Sequence, residues 1–289
     1  MDRSSGVLMP LSSLPSPYGI GTMGKSAYGF VDFLKAAGQR YWQLLPLVPT
    51  SAGDSPYSSF STFAGNPYFI DLDMLVKEKL LKTKEIEALD WGADPERVEY
   101  AKLYEQRPLL LRRAFERGRE KFADEVSAFR GANKWVDNYG LYMALKAQFD
   151  MLPWTEWPDE DIRLHRDGAV KYWSEQLRDE IEYHVFVQFL FFRQWEKLKE
   201  YAHKKGVKFI GDIPIYVALD SADVWSEPRF PVGYLHHRHA HCRALQRGHL
   251  PGAHRRVHQL YADGNMDSPH HHLRPRGLLR DGNGKEVNV

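Results

Sequence analysis

The residues best placed to do chemistry lie in Val207 to Trp225, VKFIGDIPIYVALDSADVW. A helical pattern stops at Gly206, and Val207 to Gly211 then read as a buried strand. Asp212 stands where that strand ends, and Pro214, which lacks an N–H, turns the chain out of a sheet. In parallel α/β folds the carboxyl ends of strands are where ligands meet side chains, so Asp212 is a candidate ligand-facing acid. The alternative is a helix-capping or loop aspartate. A second chemical stretch is the connector PTSAGDSPYSSFSTFAGNPYFIDL, residues 49–72. It is dense in hydroxyls and glycines and carries the aromatics Tyr57, Phe60, Phe63 and Tyr68. Unstructured connectors longer than about 12–15 residues are usually functional or disordered, and this aromatic content argues against disorder. Rings beside hydroxyls and an acid suit a polyol such as a sugar, whose C–H face packs on a ring while its hydroxyls need directional partners. A self-packed loop around an aromatic cluster is the alternative.

The elements that must position these residues follow from periodicity. Gly6 to Leu14 reads as an apolar strand, and Ala27, Phe30, Val31 and Leu34 fall at helical spacing from Ser26 to a stop at Gly38. Tyr41 to Leu47 is a second strand, which makes a βα repeat and a parallel sheet. From Met74 to Gly206 the chain reads as mostly helical. Its apolar stripes include Leu111, Phe115 and Phe122, then Val136, Tyr139, Met143 and Ala147. Pro108 marks a helix start or kink, and Met151 to Asp161 is a break. The last helix, Ser174 to Lys205, carries Leu177, Ile181, Val185, Phe189, Phe192 and Trp195 along one side. His184 and His203 on it read as structural or exposed.

Composition sets the frame. At 289 residues and 43% hydrophobic the chain can bury one large core, and a net charge of +1 gives no reason to expect a nucleic-acid partner. The opening residues hold no apolar leader, and Val185 to Phe192, interrupted by Gln188, is too short to span a bilayer, so no membrane partner and a cytoplasmic home are expected. The single cysteine, Cys242, allows no intramolecular disulfide and fits a reducing compartment. Beyond Pro231 the text changes. Ten of the 13 histidines fall there, only Tyr234 and Tyr261 of the aromatics do, and the charge is +5 against −4 before it. HHRHAHC and His270 to His272 lack a ligand spacing tied to a scaffold, so no metal site is assigned. A basic arm for nucleic acid would need aromatics between its basic residues, and they are missing.

GVLMPLSSLPSPYGIG, YWQLLPL, GDSPYSSFSTFAGNP, FVQFLFFRQWEKLKEYAHKKG and IGDIPIYVALDSADVW, in this order, resemble the N-terminal part of a 4-α-glucanotransferase, the amylomaltase or disproportionating enzyme of the α-amylase superfamily. The resemblance covers residues 5 to about 228. It implies an α/β fold, a (β/α)8 barrel acting on maltodextrins, α-1,4-glucans, by retaining double displacement through a covalent glucosyl intermediate, with no cofactor. Tyr57 and Ser55 in GDSPY then match positions lining the donor sugar sites, with Asp54 beside them. Asp212 matches the acid after the third barrel strand. All four are substrate-binding positions. Where the family often has an aromatic that grips glucan away from the active centre, this chain has Ala52.

Retaining transfer needs two carboxyl groups about 5 Å apart. The family's nucleophile lies in a motif of the kind R-I-D-H after the fourth strand, with the acid/base later, and neither appears here, so no catalytic residue is assigned. The expected architecture is therefore an incomplete barrel of three strands with a large helical insertion and an atypical, disordered tail. Residues 1–75 hold the first two βα units and the sugar loop, 76–173 the helical insertion, 174–230 the long helix and third strand, and 231–289 the tail. The expected protein is a glucanotransferase by family that does not turn over. The competing readings are a non-catalytic maltodextrin-binding fragment and an α-glucan hydrolase of the same superfamily. The tail is expected to come from a shifted reading frame at about residue 230, since misframed GC-rich coding sequence tends to give bursts of His and Arg. Translating the other frames of the gene is expected to recover R-I-D-H, and its absence there would count against a shift.

Overall fold

The computed structural model describes residues 3–94, 96–212, 214 and 217–227, without the Ala52 side chain. The expected tail, 231–289, lies outside the described residues, as does Cys242. In chain order the elements open with β1 (Gly6–Leu8), α1 (Lys25–Ala36), β2 (Tyr41–Gln43), α2 (Leu72–Lys77) and α3 (Thr83–Glu87). The helical stretch continues with α4 (Tyr100–Gly118), α5 (Ala123–Ala132), α6 (Val136–Gln148), α7 (Glu160–Arg163), α8 (Asp167–Gln176) and α9 (Arg178–Lys204). It leads into β3 (Lys208–Ile210) and α10 (Ala222–Trp225).

The three strands form one parallel sheet in the order β1-β2-β3. Register puts Val7, Trp42 and Phe209 side by side in the middle row. Trp42 meets Phe30 of α1 at 4.8 Å and Phe209 at 5.3 Å, and Phe209 meets Trp195 of α9 at 4.9 Å. Helices therefore cover the face carrying this row. Flanking residues point to the other face because side chains alternate along a strand. There Leu8 and Ile210 remain 51% and 43% exposed. A parallel sheet is ordinarily covered on both faces, so this one has an apolar side without its usual cover among the described residues.

The expectations for β1 and β2 were too long at their ends. β1 stops at Leu8 because Pro10 lacks an N–H, and Leu11–Ser13 forms a 3-10 turn instead. β2 stops at Gln43, although Leu44 N still donates to Ile210 O at 2.9 Å, and Pro46 then prevents further pairing. α1 ends as expected, with Gly38 in the left-handed region at φ 68°. Pro108 lies inside α4 rather than opening a helix.

The expected single helix from Ser174 is two. Leu177 leaves helical geometry (φ −105°, ψ 21°), which ends α8 at Gln176 and starts α9 at Arg178. The turn lets Trp173 pack on Phe149 at 5.3 Å and donate to Asp159 Oδ2 at 2.7 Å. α9 is the axis of the core. Fifteen of its residues are buried, among them Val185, Phe186, Phe189, Leu190 and Trp195. Burial, with Arg112 nearby, holds His184 neutral by lowering its pKa to about 3, whereas His203 is exposed. Phe186 is 1% exposed and packs on Phe115, Phe122 and Phe189 at 5.6–6.5 Å. Phe186→Ala is expected to remove about 3–5 kcal/mol of stability, read from urea denaturation.

Candidate functional site

Residues 49–71 contain only two 3-10 turns, Ala52–Asp54 and Pro67–Phe69, so their backbone groups must find partners elsewhere. Two side chains of α9 supply them. Gln188 accepts from Gly65 N at 2.7 Å and donates to Gly65 O at 2.9 Å. Gln194 accepts from Asp71 N at 2.7 Å and donates to Asp71 O at 3.1 Å. Both glutamines are buried. Position 65 must be glycine, because a β-carbon there would run into the Phe191 ring. Arg107 of α4, fully buried, donates to Ile70 O at 3.0 Å and lies over the Trp91 ring at 5.3 Å. Burial pulls its pKa down to about 10, against the opposing pull of Asp71, Tyr18 and Tyr68.

The segment after β3 forms a second wall. Asp223 of α10 accepts from Ser61 Oγ at 2.8 Å and from both Thr62 N and Thr62 Oγ1 at 2.7 Å. Ala222 N donates to Phe60 O at 2.8 Å. Asp220 faces the helical layer. Its carboxylate accepts from Lys146 Nζ at 2.7 Å, Tyr142 Oη at 2.6 Å and Trp154 N at 3.1 Å. Lys146 is buried and completes its coordination on Met151 O and Leu152 O, both at 2.9 Å.

Tyr57 sits at the loop tip, 48% exposed, and donates its phenol proton to Asp212 Oδ2 at 2.7 Å. The candidate acid after β3 and the candidate aromatic in the connector, 155 residues apart, therefore meet. Accepting that proton, Asp212 raises the Tyr57 pKa above the ordinary 10.0, with partial burial adding to it. Ser55 Oγ accepts from Tyr57 N at 3.2 Å, closing a serine turn that aims the ring. The tip is tied off by Ser51 N to Ser58 O at 3.1 Å and by the two hydroxyls at 2.8 Å. Asp54 is placed differently. It occupies the left-handed region at φ 57°, its Oδ1 is shielded without a hydrogen-bond partner, and its charge raises the phenol pKa values of Tyr68 and Tyr100, for which burial is the larger cause.

Beside this pair lies a small, mostly apolar cleft of about 70 Å³. Leu44, Leu45, Leu47, Val48, Thr62 to Gly65, Phe191, Phe192, Trp195 and Phe209 line it, and Asp212 is the one carboxylate among its described lining residues. The arrangement can present a ring face, hydroxyls and an acceptor to a polyol. Among the described residues no group of three or more His, Cys, Asp or Glu could hold a metal ion, and no helix is long and apolar enough to cross a membrane.

A family profile described as 4-alpha-glucanotransferase matches residues 9–233. The chain belongs to the 4-alpha-glucanotransferase family. It is 51% identical over 234 residues to the 4-alpha-glucanotransferase of Streptococcus pneumoniae serotype 4, an alignment covering 78% of this chain and 45% of the relative. To the Thermus thermophilus 4-alpha-glucanotransferase it is 44% identical over 235 residues, covering 80% and 46%. Amylomaltase from Streptococcus agalactiae, solved in complex with acarbose, has a similar structure, with a TM-score of 0.77 at 43% identity over 78% of this chain and 46% of that one. The chain thus spans just under half the length of these glucanotransferase relatives.

Sequence reasoning missed Gln188, Gln194, Lys146, Asp220 and Asp223. The one signal was a glutamine in the most apolar run of the described residues, at Gln188. Gln188→Leu strands the Gly65 N–H and carbonyl in a buried setting and is expected to cost about 2–4 kcal/mol, measured by urea denaturation.

Proposed function

We propose that this chain carries the donor-side glucan-binding half of a 4-α-glucanotransferase site, and that the acids which break and re-form the α-1,4 bond lie outside residues 3–227. The observation carrying the reading is the Tyr57–Asp212 hydrogen bond, which joins the connector to the end of β3 beside an open cleft. In this reading a sugar ring packs on Tyr57 while Ser55 and Asp212, the latter lining the cleft, receive its hydroxyls. Asp54, turned toward Tyr68 and Tyr100, serves by shaping the tip. The relative solved with acarbose supports an oligosaccharide-like ligand for this cleft.

Transfer by double displacement requires a nucleophile and an acid/base, two carboxyls about 5 Å apart. The described cleft offers Asp212 alone, so the reading assigns it to binding and leaves this chain without turnover. The three parallel strands are in turn read as the first of a (β/α)8 barrel, with the exposed Leu8 and Ile210 on what becomes its interior face. Residues 76–173 are read as an insertion between the second βα unit and the long helix, in a protein of the cytoplasm.

Calorimetry with maltodextrin tests the site. Tyr57→Phe and Asp212→Asn are each expected to weaken binding about tenfold, the worth of one hydrogen bond to a charged group. Unchanged affinity in both variants would sink the assignment. Incubation with maltotriose should give neither glucose nor longer glucans, and either product, with host enzymes excluded, would show that a residue read here as binding attacks sugar.

A further inference from the structure

We propose that Asp223 is the positioning residue of the glucan-binding loop: holding Ser61 and Thr62 on one carboxylate, it fixes the loop's return limb and through it the reach of Tyr57 to Asp212. The consequence for sugar affinity rests on the glucan-binding reading of that pair, while the geometry does not.

Among the described residues this carboxylate meets the hydroxyls of Ser61 and Thr62 and the Thr62 N–H at 2.7–2.8 Å. Its effect extends further along the backbone. Because the Ser61 hydroxyl gives its proton to Asp223, its lone pairs are left to accept from Phe63 N at 3.1 Å and Ala64 N at 3.3 Å. A single side chain thus orders three consecutive amides, ending beside Gly65, where Gln188 takes over. In the other direction Ser59 Oγ donates to Ser61 O at 2.7 Å and accepts from Ser61 N at 3.2 Å. Ser58, next in line, closes the tip on Ser51 and Ser55. Every step from Asp223 to Tyr57 is a short local contact.

The anchor itself is rigid. Ser221 caps α10 by accepting from Val224 N at 3.3 Å, and the fully buried Trp225 donates to Ile162 O at 2.8 Å. None of these contacts needs the Asp223 carboxylate, so α10 keeps its place when that carboxylate changes. The chemistry also demands an acid. An asparagine presents two N–H donors where the carboxylate presents an acceptor, and one of them would oppose Ser61 or Thr62.

The test uses the 289-residue chain with Asp223→Asn, alongside Thr62→Val, which removes one donor and keeps the shape. Amide exchange is expected to speed up about tenfold or more at Thr62, Phe63 and Ala64 while Trp225 stays protected, since hydrogen bonds to a charged group are the strong ones. The Tyr57 phenol, isolated by ultraviolet titration against the matching Tyr57→Phe protein, is expected to fall back toward 10.0 once it loses Asp212. The sign follows from the bond: a raised folded value means the link is intact below pH 10 and is lost only above it. Maltodextrin affinity should drop as far as in Tyr57→Phe alone. A folded Asp223→Asn protein with unchanged exchange and an unchanged phenol midpoint overturns the proposal, and if that variant does not fold, Thr62→Val decides on the same two readings. If exchange and phenol respond but Tyr57→Phe leaves maltodextrin affinity untouched, the positioning role stands and the glucan-binding reading fails.

Discussion

Two primary amides inside an apolar helix decide where the connector of residues 49–71 can run. A glutamine side chain offers one acceptor and one donor face, the same complement a neighbouring strand offers, so Gln188 and Gln194 replace sheet pairing for Gly65 and Asp71. An irregular segment can be buried only if its backbone is satisfied this way, since each unpaired buried group costs about 1–3 kcal/mol. These clamps fix the base of the loop against α9, from which Ser61 and Thr62 reach Asp223 and Tyr57 reaches Asp212.

The segment after β3 makes the complementary half of this constraint with three aspartates that face different partners. Asp212 takes the loop tip, Asp223 the return limb, and Asp220 the helical layer through Lys146, Tyr142 and Trp154. A buried ion pair gains little net stability over well-packed apolar residues, because desolvation offsets its attraction. Lys146 and Asp220 are well hydrogen-bonded, so the pair specifies one docking geometry for helix and segment. The tyrosine there follows the same logic: burial first, then its bond to Asp220, pushes the Tyr142 phenol far up, so it remains a donor.

Much of this architecture was legible and some was not, for identifiable reasons. Strand and helix order could be read because Trp42, Phe209 and the α9 stripe follow the periods of a sheet and a helix. Element ends were misread where one residue overrides a period. Pro10 cut β1, Pro46 blocked β2, and Leu177 broke a continuous apolar stripe to seat Trp173. Tyr57 and Asp212 were each singled out as sugar-binding candidates, but their meeting was not legible, since nothing in spacing alone brings residues so distant together. The clamps were invisible because glutamine and aspartate carry no periodic signature, and only contact with a specific carbonyl or hydroxyl distinguishes a buried amide from an exposed one.

The distance along the chain between Tyr57 and Asp212 also has a kinetic meaning. Joining points 155 residues apart is entropically disfavoured until intervening structure has shortened the path, and here that structure is the whole run from α2 through α9. Helices built from near neighbours form early, while this hydrogen bond belongs to the end of the folding order. A chain still emerging from the ribosome can hold most of its helical content and yet lack the Tyr57–Asp212 pair. Formation of that hydrogen bond therefore reports completed folding rather than secondary structure.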